Sequence, residues 1–103
     1  MSMKSELKNI NLKSNELLGL EFCTGYKQYF VFGTNITDML KRVIWMYNSY
    51  AGTKHNLRTF PKLCKEEDYS GFLYKFDTMN MFSFDNDCYS LGELGGTSLG
   101  RII

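Results

Sequence analysis

The chain predicts a small α+β domain: an antiparallel sheet of about four strands, in the order β-β-α-β-β, with one main amphipathic helix packed on one face. Three observations carry that expectation. Segments rich in aromatic and β-branched residues recur at 17–24, 26–32 and 71–77. A long segment after Asn35 repeats its apolar residues at steps of three and four. And 103 residues suit one domain, 1–103, rather than two.

The elements follow in chain order. Residues 5–15 are polar, with sparse apolar positions at Leu7, Ile10 and Leu12, and fit a short helix or an edge strand equally. Residues 17–24 read as a strand, Gly25 as a turn, and 26–32 as the antiparallel partner. Asn35 is a good N-cap, and Asp38 three residues later suits both a capping box and the positive end of the helix dipole. Ile36, Met39, Leu40, Val43, Ile44, Tyr47, Tyr50 and Ala51 then trace one buried stripe, and Gly52 stops the helix. Residues 53–70 read as a long connection with one short helical turn near 61–67. In 71–77, Phe72, Tyr74 and Phe76 point one way and Leu73, Lys75 and Asp77 the other. A second strand is expected around 80–84, a turn at Asp85-Asn86-Asp87, and a short closing strand at 99–103 after the glycines of the tail. The long connection leaves the strand order open.

Composition narrows the function classes. A mean hydropathy of −0.28, no long apolar run and no secretory leader pattern predict a cytoplasmic chain with no membrane partner. Cys23, Cys64 and Cys88 are odd in number and lack C-x-x-C spacing, which argues against a disulfide framework or a standard zinc site and for reduced thiols. Asn35-Ile36-Thr37 matches a glycosylation sequon but is better explained as helix-start chemistry. Asp85-Asn86-Asp87 lacks the rest of a calcium loop. Catalysis would need His55 to activate a cysteine, and no nucleophile elbow, phosphate loop or H-E-x-x-H pattern accompanies it. The expectation is therefore no enzyme, no cofactor and no metal.

Charge is the chief clue. Residues 39–65 hold six basic side chains (Lys41, Arg42, Lys54, Arg58, Lys62, Lys65) and no acidic one, whereas 66–100 hold seven acidic side chains against Lys75 alone. On the helix, the mean direction of the apolar stripe lies near Ile36, Leu40, Val43 and Tyr47, so Trp45 falls almost opposite it, among Asp38, Lys41, Arg42, Asn48 and Ser49. A tryptophan on the polar face gains nothing in the isolated domain. Either it contacts a partner, or the loop or N-terminal segment covers it as a second small core.

The partner-binding surface predicted on these grounds is Trp45, Lys41, Arg42, Lys54, Arg58 and Lys62. Interleaved aromatics (Trp45, Tyr47, Tyr50, Phe60) would suit base stacking beside phosphate contacts, which keeps a small nucleic-acid-binding module as an alternative. A pI near 7.7 and the acidic third, which could neutralise the basic segment internally, favour a protein partner instead. That acidic third could itself imitate nucleic acid toward a basic partner. The richness in Lys, Asn, Tyr and Phe resembles proteins of AT-rich bacterial or phage genomes. The leading expectation is a non-enzymatic inhibitor or regulator of a macromolecular partner, such as a viral (phage-type) antagonist of a nucleic-acid-processing defence system. An immunity-type, toxin-neutralising protein is the alternative within the binding class, and the aromatic content also admits a homodimer.

Overall fold

The computed structural model describes residues 10–79 and 91–103. Four strands, β1 (Glu16–Cys23), β2 (Gln28–Gly33), β3 (Ser70–Asp77) and β4 (Thr97–Arg101), form one antiparallel sheet in the order β2-β1-β3-β4. Two helices, α1 (Ile36–Ala51) and α2 (Phe60–Glu67), connect β2 to β3. The α+β reading of the sequence holds. The sheet's fourth described strand is the C-terminal one; the strand expected at 80–84 and the turn at Asp85-Asn86-Asp87 lie outside the described residues.

Local chemistry accounts for the first half. The β1–β2 hairpin closes over residues 24–27, where the Thr24 hydroxyl accepts from the Tyr26 and Lys27 amides at 3.1 and 3.0 Å. Asn35 caps α1 as expected: its Oδ1 accepts from the Asp38 amide at 3.0 Å, which satisfies one of the helix's open N–H groups. Gly52 ends α1 in the left-handed region (φ 69°) and its amide donates to the Asn48 carbonyl.

The middle strand explains the crossover. β2 and β3 both pair antiparallel with β1, so they run in the same direction and no tight turn can join them. α1 and α2 carry the chain back across one face. There Ile36, Met39, Leu40, Val43, Ile44 and Tyr47 of α1 pack on Leu18, Leu20, Phe22, Val31 and Leu73, with Phe60 and Cys64 of α2 closing the layer. Two members of the predicted stripe do not join it. Tyr50 and Ala51 are exposed in the last turn of α1, where the Lys27 ammonium of the hairpin sits 4.4 Å from the Tyr50 ring.

The opposite face of the sheet has a core of its own, which the sequence reading did not anticipate. Phe76 and Leu91 are buried there against Leu17, Phe30, Phe32 and Tyr74. The 3-10 turn Leu91–Leu94 brings Leu91 over Gly19, where an added Cβ would lie 2.7 Å from Phe76 Cε2 and 2.9 Å from Leu91 Cδ1. Glu21 is buried on this face, and its carboxylate accepts from the Leu91 amide at 2.8 Å. Among the described residues no helix is long and apolar enough to cross a membrane.

Candidate functional site

The outward face of α1 carries Trp45, which is 70% exposed. The loop therefore does not cover the indole, and the second core of the fold lies elsewhere, on the far face of the sheet. Trp45 stands between two open grooves. The larger, about 650 Å³, runs between α1 and the loop that follows it and is lined by Lys41, Ile44, Trp45, Asn48, His55, Asn56, Leu57 and Arg58. The smaller, about 400 Å³, lies between α1 and β2 and is lined by Phe30, Val31, Phe32, Arg42, Trp45 and Met46.

Two asparagines hold the loop beside the helix. Asn48 Oδ1 accepts from the Thr53 hydroxyl at 2.8 Å and the His55 amide at 3.0 Å, while its Nδ2 donates to the His55 carbonyl at 2.9 Å. Asn56 Oδ1 accepts from the Arg58 and Thr59 amides at 2.9 and 3.0 Å, and the Asn56 amide donates to the Thr59 hydroxyl at 3.0 Å. This closes the turn that leads into α2. The His55 ring is fixed between Tyr47 and Phe60, each 6.2 Å away between ring centroids, with Nδ1 3.1 Å from Thr59 Oγ1. A loop held by side-chain to main-chain bonds at both ends offers its outer residues in one arrangement, which lowers the ordering cost of any contact they make.

The predicted residues separate into three groups. Trp45, Lys41 and Arg58 share the larger groove. Arg42 lies across Trp45 in the smaller one, and its guanidinium donates to the Phe32 carbonyl, so this side chain also ties α1 to β2. Lys54 and Lys62 are exposed but line neither groove. Ile44, His55, Asn56 and Leu57 line the larger groove unpredicted, as does Asn48, which the helix periodicity places beside Trp45 without a binding role. The Asn-x-x-Thr spacing of 56–59 was the available signal for a capped turn there.

Among the described residues no ion pair joins the basic segment to the acidic third. The single ion pair there joins Lys75 to Glu16 at 3.6 Å. Asp77 accepts from Asn15 Nδ2 and the Met79 amide, both at 3.0 Å, and Asp85 and Asp87 lie outside the described residues. The stacking platform expected for single-stranded nucleic acid is corrected as well. Tyr47 and Phe60 are 8% and 1% exposed, because both face the core and pack on each other at 5.6 Å.

Neither of the two described cysteines is set up as a nucleophile. Burial pushes the Cys64 thiol up to about 12, and burial likewise raises Cys23, so both resist forming the thiolate that a cysteine nucleophile needs. Tyr69 is raised to about 12, chiefly by its hydrogen bond with Tyr47. Among the described residues no three His, Cys, Asp or Glu side chains gather in a way that could hold a metal ion. No protein-family model matches the chain, and neither a curated protein nor a solved structure matches it.

Proposed function

We propose that this chain is a cytoplasmic, non-enzymatic binding protein that inhibits or regulates a macromolecular partner, and that it does so through the face centred on Trp45. The observation that carries this reading is the exposure of the one tryptophan on a helix whose apolar stripe from Ile36 to Tyr47 is buried. Covering such an indole removes on the order of 150 Å² from water, about 4 kcal/mol at ~25 cal/mol per Å². Tryptophan and arginine flanked by near-neutral contacts is the composition of interface hot spots.

The test compares variants on one folded scaffold. The partner retained by the wild-type chain is identified, its activity is measured with and without the chain, and affinities are read by calorimetry. Trp45→Ala is expected to leave the melting curve within ~0.5 kcal/mol of wild type and to weaken partner binding by about 30- to 700-fold. Lys65→Glu, a basic position outside both grooves, retains binding. Equal affinity for wild type and Trp45→Ala, or a partner whose activity is untouched by saturating chain, removes the proposal.

A further inference from the structure

Resting on that reading of the Trp45 face, we infer the chemistry of the partner segment it takes: an acidic polypeptide stretch that sets an apolar side chain against Trp45 and its carboxylates against Lys41 and Arg58.

Charge is the first argument. The charged side chains lining the two grooves are all cations, Lys41 and Arg58 on one side of Trp45 and Arg42 on the other. None of them forms an ion pair among the described residues. Arg42 is held in position by its bond to the Phe32 carbonyl, so its charge stands beside the indole without further ordering. A cationic rim around an apolar centre attracts a segment of the opposite sign and repels its own, which sets both on-rate and specificity.

The polar inventory of the groove favours a polypeptide over a nucleic acid. Base edges are read by arginine or lysine on guanine and by free side-chain amides on adenine, so a groove that spends its amides on its own loop keeps only part of that vocabulary. Here Asn48 spends both ends of its amide on the loop backbone and the Thr53 hydroxyl, Asn56 Oδ1 takes two backbone amides, and His55 Nδ1 faces Thr59. Sequence-tolerant binding of single strands instead requires successive exposed rings. Trp45 is the one exposed aromatic ring lining this groove, since Tyr47 and Phe60 are in the core, His55 is half-buried between them, and the exposed Tyr50 lines neither groove. What the groove does offer is an apolar floor (Ile44, Leu57, Trp45) with unpaired cations at its margin, the complement of an aliphatic or aromatic residue flanked by glutamates or aspartates.

The sole tryptophan is its own reporter. The intact chain is titrated with a short peptide of glutamates carrying a leucine at every fourth position, and Trp45 emission is followed. The same titration is made with the lysine-for-glutamate peptide and with oligothymidylate of equal length. The expected result is a blue shift with the glutamate peptide alone, at an affinity that falls about tenfold or more in Lys41→Glu and in Arg58→Glu. A comparable shift with the lysine peptide shows that charge plays no part and overturns the inference. A shift with oligothymidylate and none with the glutamate peptide replaces it with the nucleic-acid class, and silence from all three overturns it outright. Failure of this inference stays distinct from failure of the binding role: if Trp45→Ala abolishes partner binding while the glutamate peptide is silent, the face stands and only its acidic chemistry falls.

Discussion

Asn48→Ala tests whether the groove is built by the loop's hydrogen bonds or merely bordered by them. The Asn48 side chain makes three, to Thr53 Oγ1, the His55 amide and the His55 carbonyl, at 2.8–3.0 Å. Each is worth about 0.5–1.5 kcal/mol net. Because residues 52–54 and 56–59 are largely at the surface, water can replace part of that loss, so the sum is discounted to roughly 1.5–3 kcal/mol. For a domain of this size that corresponds to a fall in Tm of roughly 6–24 °C at about 4–8 °C per kcal/mol. Stability alone would not identify the role, so the second readout is local. Amide exchange at His55 and neighbouring loop residues is expected to rise more than exchange at Leu20 or Val43, which are buried in the core and report global opening. Asn48→Asp keeps the acceptor for Thr53 and His55 but loses the donor to the His55 carbonyl and brings a negative charge to the last turn of α1, so it falls between wild type and alanine at best. If Asn48→Ala melts within ~0.5 kcal/mol of wild type with unchanged exchange in the loop, the groove does not depend on these bonds and the argument for a preorganised surface fails.

Two further perturbations test the fold that carries the site. Gly19→Ala places a methyl 2.7 Å from Phe76 Cε2 and 2.9 Å from Leu91 Cδ1, and overpacking of this kind costs about 1–3 kcal/mol. Urea unfolding measures it, and Phe76→Leu in the same chain is expected to recover part of the loss; a neutral Gly19→Ala would mean that Phe76 and Leu91 do not close over Gly19. Stability should also fall as pH rises above about 9. The Cys64 thiol goes from 9.0 to about 12 and Tyr69 from 10.0 to about 12 on folding, so over that window the folded chain binds protons that the unfolded chain has released. Denaturant midpoints measured from pH 7 to 11 should show this fall. Cys64→Ala, though less stable throughout, should show a shallower one, and an identical slope in both proteins would contradict a buried, proton-retaining thiol.

Much of the first half of the chain was legible because its determinants are neighbours. The Asn35 cap, the stripe from Ile36 to Tyr47 and the Gly52 stop act within one or two helical turns, so periodicity and capping rules reach them. The same rules placed Trp45 opposite the stripe, and that placement is what made it a candidate. They could not say whether the indole would be covered. That depended on where the loop after α1 went, and the loop's course is set by hydrogen bonds that Asn48 and Asn56 make to main-chain groups, which composition does not announce.

The distant pairings were beyond reach for a related reason. β3 registers on β1 over partners as far apart in sequence as Glu16 and Asp77, and the carboxylate of Glu21 meets the Leu91 amide across 70 positions. Local sequence carries no record of which strand will lie beside which, so strand order and the second core beneath Leu91 had to come from the fold. Tertiary structure likewise divided the basic segment that sequence could only count. Lys41 and Arg58 are brought to one groove, Arg42 is given a structural bond to β2, and Lys54 and Lys62 are left apart. By itself, then, the sequence determined the fold class, the main helix and the direction of Trp45, all products of near-neighbour periodicity. Only the packed chain decided that Trp45 stays exposed and which cations stand beside it, because both depend on where segments far apart in sequence come to rest.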